Sequence, residues 1–486
     1  MGASQPPPGQ EGSRNGEGAV YLRRKITLLR ALSLTIGTII GSGIFISPKG
    51  VLKNSGNVGL SLVIWVACGI LSMCGALSYA DLATTIKKSG GHYIYLLETL
   101  GPLPAFLRLW AEYVMIRPSI NAVVSLAFGR YLIEPFFVPC HAPDVAVKMI
   151  SAICVSFIVA LNCWSVSWSA NVQTAFAASK LIAIGLVIVP GLMALGAGRT
   201  ENFQDAFHTD SLALDKIPLA FYSGLFAFAG WYVPWVKFGG AVTSVGAQYT
   251  VYIHYIGPTI QYIYTITGPL YTLYKYKYTE RECSGHTISC TPILYCLRET
   301  LWHPLPICIN TNIQRGNVLG TQYYPARMLF AASREGQGPP LLAMIHIKKH
   351  TPLPALILMM PLVFLMIAIG DLYGLLNFNS FSRWLFMGLT TLGLIVHRYR
   401  YPDLPRPFKV PLIIPFIFTI TCLFIVGMSL YSDPVNTGMS CAITLAGLPV
   451  YLLMVHKSQL PGPWREAITR GGALSIRMTQ SFPIET

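Results

Sequence analysis

Apolar residues in this chain fall in long continuous runs, not in stripes one helix face wide. Crossing a hydrocarbon layer takes about 20 such residues. Runs that meet this requirement lie at 31–48, 58–80, 104–129, 148–169, 172–196 and 217–236, then at 352–370, 373–396, 410–431 and 435–456. Nothing alternates with the two-residue period of a strand. In lipid each segment must also satisfy its own backbone groups, so the runs are expected as helices and the fold class as an all-α polytopic membrane protein. Residues 1–22 are rich in Pro, Gly and Gln and predict a disordered tail; residues 459–486 form a second tail. The first 22 residues hold no signal peptide, so the first run is expected to direct insertion.

The loops set the orientation. Arg23, Arg24, Lys25 and Arg30 precede the first run, and Lys87 and Lys88 follow the second. Arg398, Arg400, Arg406 and Lys409 separate 373–396 from 410–431, and Lys457, Arg465 and Arg470 follow the last run. Positive loops stay on the cytoplasmic side, which places both termini there. Lys348 and Lys349 must then also be inside, so an even number of crossings, zero or two, lies between 237 and 351.

Composition supports this reading: 53% of the 486 residues are hydrophobic, only 11% are charged, and the mean hydropathy is +0.52. A soluble protein carries about 25% charged residues, so soluble enzymes, fibres and disulfide scaffolds are excluded. The net charge of +15 does not point to nucleic acid, because the cations sit in short loops between apolar runs. H-E-x-x-H, G-x-S-x-G and P-loop patterns are absent, so no enzyme and no cofactor are expected. Of the 11 cysteines, Cys68, Cys74, Cys154, Cys163, Cys422 and Cys441 lie within apolar runs. Cys283, Cys290 and Cys296 with His286 match no metal template. The sequence contains no Asn-x-Ser/Thr sequon, so any glycan of an assembly is expected on a partner.

One stretch departs from the pattern. Between Tyr249 and Tyr274 only 8 of 26 residues are Val, Ile or Leu, beside seven Tyr and five Thr. Tyr-Thr-Val-Tyr-Ile-His-Tyr-Ile (249–256) can be spelled almost wholly in alternating purine and pyrimidine codons, as a translated dinucleotide repeat would be. The expectation is that 237–325 is non-coding DNA or an aberrant transcript read into the frame, a Tyr/Thr-rich insert.

Two runs are broken by glycine in matching places: Gly37-Thr38-Ile39-Ile40-Gly41-Ser42-Gly43-Ile44-Phe45 in the first and Phe226-Ala227-Phe228-Ala229-Gly230-Trp231 in the sixth. Glycine can serve close helix packing alone. Two breaks five runs apart are also what an inverted repeat of five plus five helices produces, with half-helix ends at a midplane site. Such ends present N–H groups to a carboxylate. Arg117, Lys180 and Arg383 lie inside runs, where an unpaired charge costs at least about 2.5–3.5 kcal/mol. Glu112 is five residues from Arg117, an offset that on an α-helix points to another face, and Arg383 has no acid nearby in sequence. With one or two opposing acids, Glu112 and Asp81, a cavity that attracts anions is expected.

Ile-Gly-Thr-Ile-Ile-Gly-Ser-Gly-Ile-Phe (36–45), Lys-Lys-Ser-Gly-Gly-His-Tyr (87–93), Glu-Pro-Phe-Phe-Val-Pro-Cys (134–140), Ser-Val-Ser-Trp-Ser-Ala (165–170) and Arg-Pro-Phe-Lys-Val-Pro (406–411) resemble the L-type light subunits. These are amino-acid exchangers of the amino acid–polyamine–organocation superfamily. Pro-Pro-Gly-Gln-Glu (7–11) and Ser-Arg-Trp-Leu-Phe (382–386) are similar to the members that exchange anionic cystine for glutamate; neutral amino-acid relatives lack the arginine. The resemblance covers about 20–236 and 326–458. It implies a LeuT-like 5+5 fold with two further C-terminal helices, sodium-independent antiport by alternating access, and a plasma-membrane location. It implies that Ser42, Gly43 and Ile44 hold the substrate's α-amino and α-carboxylate groups. Phe228 would then be an aromatic gate, usually tyrosine, while Arg117, Gln173, Lys180 and Arg383 line the site. The fifth-helix Lys180 resembles a built-in replacement for sodium. Cys140 matches the cysteine that joins a type II membrane glycoprotein, the heavy subunit, by disulfide. The family's helix 7 and most of its helix 8 should occupy 237–325 and are not recognisable there, so impaired transport is expected. Exchange of neutral amino acids, or a non-transporting product, are the alternative functions.

Overall fold

The computed structural model describes residues 43–86, 91–133, 142–164, 214–228, 345–346, 353–455 and 481–482, with isolated positions between 137 and 207. Helix α1 (Gly43–Ser55) starts at the glycine break and carries Pro48 inside it. It therefore runs a further two turns beyond the end expected at 48. Membrane helices tolerate such a proline where packed neighbours shield the freed carbonyl. Asn57 caps α2 (Val58–Thr85), its side chain accepting the Leu60 N–H at 2.7 Å. A helix that the apolar runs did not indicate follows, α3 (His92–Leu100). Gly91 (φ 61°) and Gly101 (φ 100°) flank it, two left-handed corners that only glycine adopts without strain.

The third run is one continuous rod. It comprises α4 (Pro102–Ala111), a π turn (Glu112–Ile116) and α5 (Arg117–Ile133). Helix α6 (Asp144–Trp164) packs on α5, and a short turn at Leu214–Lys216 leads into α7 (Ile217–Ala227). The C-terminal half contains α8 (Leu353–Ile369), α9 (Leu372–Arg400), α10 (Ile413–Ser432), α11 (Pro434–Leu445) and α12 (Gly447–Val455). Asp371 caps α9 through the Tyr373 and Gly374 N–H groups at 3.2 and 3.1 Å. The strand content of the described residues is one two-residue pairing, β1 (Ile345–His346) with β2 (Ser481–Phe482), antiparallel. It holds the segment before α8 and the C-terminal segment on the same side of the helices. The runs expected at 172–196 and the insert at 237–325 lie largely or wholly outside the described residues.

The exterior is apolar, and a largely apolar interior also buries a set of polar and charged side chains. Val145, Met149, Ile153 and Phe157 of α6, spaced four apart, are 59–70% exposed. Ile413, Phe416, Ile417, Ile420 and Phe424 form a similar stripe on α10. Patches of this size on a soluble protein would mark an interface; here they face lipid. Val58–Thr85, Ile413–Ser432 and Pro434–Leu452 are each long and apolar enough to cross a membrane. Helix α9 is the central post, packed against α2, α3, α5, α7, α10 and α11.

Two expectations about charge are corrected. Asp81 is not an acid of the substrate cavity. It is fully buried at the end of α2, where Arg398 Nη2 donates to Oδ2, Arg406 Nη1 to Oδ1 at 3.4 Å and the Val410 N–H to Oδ2 at 3.1 Å. Arg398 and Arg406 are accordingly not free loop cations. A buried carboxylate holds its charge only when paired, and these three donors meet that need.

Candidate functional site

Two groups of residues form the interior around α9. The first is where α1 meets α7. The helices run antiparallel, and a Cβ added to Gly43 would come within 2.6 Å of both the Ala227 Cα and the Phe226 carbonyl oxygen. Gly50 is similarly closed by Ser223, and Gly224 by Cys68. Gly43 of α1 therefore lies at the same depth as the end of α7. The break in the sixth run comes earlier than Gly230, since α7 ends at Ala227 with Phe228 as its cap. Gly43 and Ile44 are buried. Ser47 Oγ, one turn further along the same face, is buried and has no hydrogen-bond partner among the described residues. Phe228 is 3% exposed and tilts against Trp65, ring centroids 5.7 Å apart.

The second group is ionic. On an α-helix a five-residue offset turns about 140° around the axis, and Glu112 and Arg117 were expected on different faces for that reason. The π turn removes the difference. It bonds residue i to i+5, seen here as the Arg117 N–H donating to the Glu112 carbonyl, and so brings the two side chains together. Arg117 Nε donates to Glu112 Oε1, and Arg108 Nη2 lies 2.6 Å from Oε2. All three residues are buried. Arg383 of α9, also buried, lies within electrostatic reach of Glu112, so the acid that its own helix lacks comes from α4–α5.

Arg108, which the sequence reading missed, also lies over the Phe386 ring at 5.7 Å. Its signal was the four-residue spacing to Glu112. Asn121 follows Arg117, and Asn379 precedes Arg383, each by one turn on the same face; both are fully buried. His92 closes the cluster from α3, outside the spanning helices, with Nδ1 2.8 Å from the Tyr79 hydroxyl. Burial, and after it Arg108, Arg117 and Arg383, hold its imidazole well below the ordinary value of 6.5. Among the described residues, two guanidiniums thus pair with one carboxylate and a third lies within electrostatic reach, and such a cluster favours an anion. No group of His, Cys, Asp and Glu among the described residues could hold a metal ion. Ser42, Gln173, Lys180 and Cys140 lie outside the described residues.

Comparison with known proteins is consistent with this geometry. A family model described as "Amino acid permease" matches residues 26–237 and 307–454. The second match begins before Ala326, where the resemblance was expected to resume. The chain is 47% identical over 480 residues to the "Cystine/glutamate transporter" of Homo sapiens, covering 96% of this chain and 91% of that protein. It is 36% identical over 471 residues to the "Large neutral amino acids transporter small subunit 2" of Mus musculus, covering 96% and 87%. It is 35% identical over 462 residues to the "b(0,+)-type amino acid transporter 1" of Homo sapiens, covering 94% and 92%.

Proposed function

The chain belongs to the amino acid permease family of multi-pass membrane transporters, and from that premise we propose that it is a sodium-independent antiporter exchanging anionic cystine for glutamate at the plasma membrane. The observation that carries this reading is the buried excess of arginine over carboxylate around Glu112. Arginine offers a planar fork that grips a carboxylate with two parallel bonds. Arg117 and Arg383 take the substrate's side-chain carboxylate, while the N-terminal turn at Ser42, Gly43 and Ile44 takes its α-carboxylate. Phe228 closes over the substrate, Gln173 adds a polar contact, and Lys180 supplies the charge that sodium supplies elsewhere. The meeting of the two half-helix ends supports a LeuT-like 5+5 core that works by alternating access. Both termini lie in the cytoplasm, and Cys140 joins a type II heavy subunit.

Residues 237–325 set a limit on this function. They stand where the family's helix 7 and most of helix 8 are expected, the family match resuming at 307, and the composition of 249–274 opposes two hydrophobic crossings. Without those walls the substrate cavity opens laterally to lipid, an environment costly to the charges that line it. The chain as written is therefore retained or degraded and does not exchange glutamate for cystine. Replacing 237–325 with the matching segment of an intact relative restores exchange; sodium-independent exchange by unmodified chain in vesicles refutes the impairment. Substituting Arg383 in the restored chain separates the two substrate classes. Loss of glutamate uptake with neutral uptake retained supports the anionic site, and loss of neither marks a neutral exchanger.

A further inference from the structure

We propose that Glu112 is the positioning residue for Arg117, itself held by Arg108, and that this buried triad sets how well the site tells an acidic side chain from its neutral amide. The proposal rests on the anionic-site reading above. A π turn inserts one residue into a helix at a cost in hydrogen-bond geometry and commonly marks a functional site. Here its effect is specific: it rotates Arg117 onto the face of Glu112, with which an uninterrupted α-helix would not pair it.

The contact engages Arg117 through its Nε and so fixes the orientation of the guanidinium plane. Glu112 uses its other oxygen on Arg108, which fixes the carboxylate from the opposite side. Nε and Nη1 of Arg108 are buried with no hydrogen-bond partner among the described residues. The Arg108 guanidinium lies over Phe386, three residues from Arg383 on α9. Arg108 therefore ties the two arginine-bearing helices together through one aromatic contact and one ion pair.

The test measures binding of glutamate and of glutamine to the purified full chain in nanodiscs, with 237–325 replaced by the matching segment of an intact relative, in that restored chain and in its Glu112→Gln, Glu112→Asp and Arg108→Met variants. Loss of one charge-assisted contact should lower the glutamate-to-glutamine affinity ratio about tenfold in Glu112→Gln. Glu112→Asp should recover part of it, and Arg108→Met should lower it similarly. Because Glu112 acts through Arg117, adding Glu112→Gln to an Arg117→Gln background should change the ratio no further. A purely structural role would lower both affinities together and leave the ratio intact, and that result overturns the proposal. So does an additive loss in the double variant, which remains readable where Glu112→Gln alone folds poorly. If the restored chain shows no preference for glutamate, the anionic-site reading itself fails, whereas a preference that Glu112→Gln leaves intact overturns this proposal alone.

Discussion

Gly43→Ala adds a single methyl group at the point where α1 and α7 come closest. Its carbon would sit 2.6 Å from the Ala227 Cα, 2.6 Å from the Phe226 carbonyl oxygen and 2.9 Å from the Ala227 nitrogen. All three are backbone atoms, so no side chain can swing away. Restoring ordinary contact needs the helices to part by about 1 Å, and overpacking of this kind costs about 1–3 kcal/mol. Alanine regains up to about 1 kcal/mol of helix propensity, which leaves a net loss of roughly 1–2 kcal/mol. Gly427 is the internal control, since nothing lies within 4 Å of a Cβ built there, and Gly427→Ala should be neutral or slightly stabilising. Thermal melting of the purified chains in detergent reads the difference, at roughly 2–4 °C for each kcal/mol in a large domain. If Gly43→Ala melts with the unmodified chain, the two helix ends do not meet as described. The substrate site built on that meeting would fall as well.

Other outcomes follow from the same geometry. Asp81→Asn leaves Arg398 and Arg406 buried around a neutral group and should destabilise the fold by about 3–5 kcal/mol; an unchanged melting temperature would show the pairing to be dispensable. Cys140→Ser should remove a reducible high-mass species from non-reducing gels while leaving membrane insertion intact, and persistence of that species would exclude Cys140 as the link. His92 titrates below 6.5 in the folded chain, so the unfolded chain takes up the proton first and stability falls as pH drops through that value. His92→Gln should flatten melting temperature against pH between 7 and 5, about the range over which the imidazole titrates; an unchanged slope would assign the effect to another group.

The helices were legible where their signal was long. A run of twenty apolar residues admits one structure in lipid, and the paired glycine breaks pointed to the meeting of α1 and α7. What failed to show was anything that depends on a single extra backbone residue or on distant partners. The π turn has no composition of its own, so Glu112 and Arg117 were read on an α-helical wheel and set apart. Helix α3 is short and lies between two glycine corners, too brief for an apolar run. Asp81 gave no hint of Arg398, because the partner lies 317 residues further along. Arg108 sits near the beginning of its run, where a cation ordinarily snorkels to the interface, and its burial depends on Phe386 and Glu112.

The Asp81 clamp also has a schedule. Ribosomes add about 5–20 residues each second, so the 317 residues between Asp81 and Arg398 represent roughly 15–60 s of synthesis at that rate. During that interval α2 is already made while its carboxylate waits for all three donors. Trp110 waits similarly for the Ile443 carbonyl, and Tyr222 for Ser429. The N-terminal helices can thus be threaded early but reach their final packing only when the last third of the chain emerges. Until then they depend on whatever insertion machinery shelters an unpaired acid, and a ribosome that stops before Arg398 releases a protein whose first half cannot close.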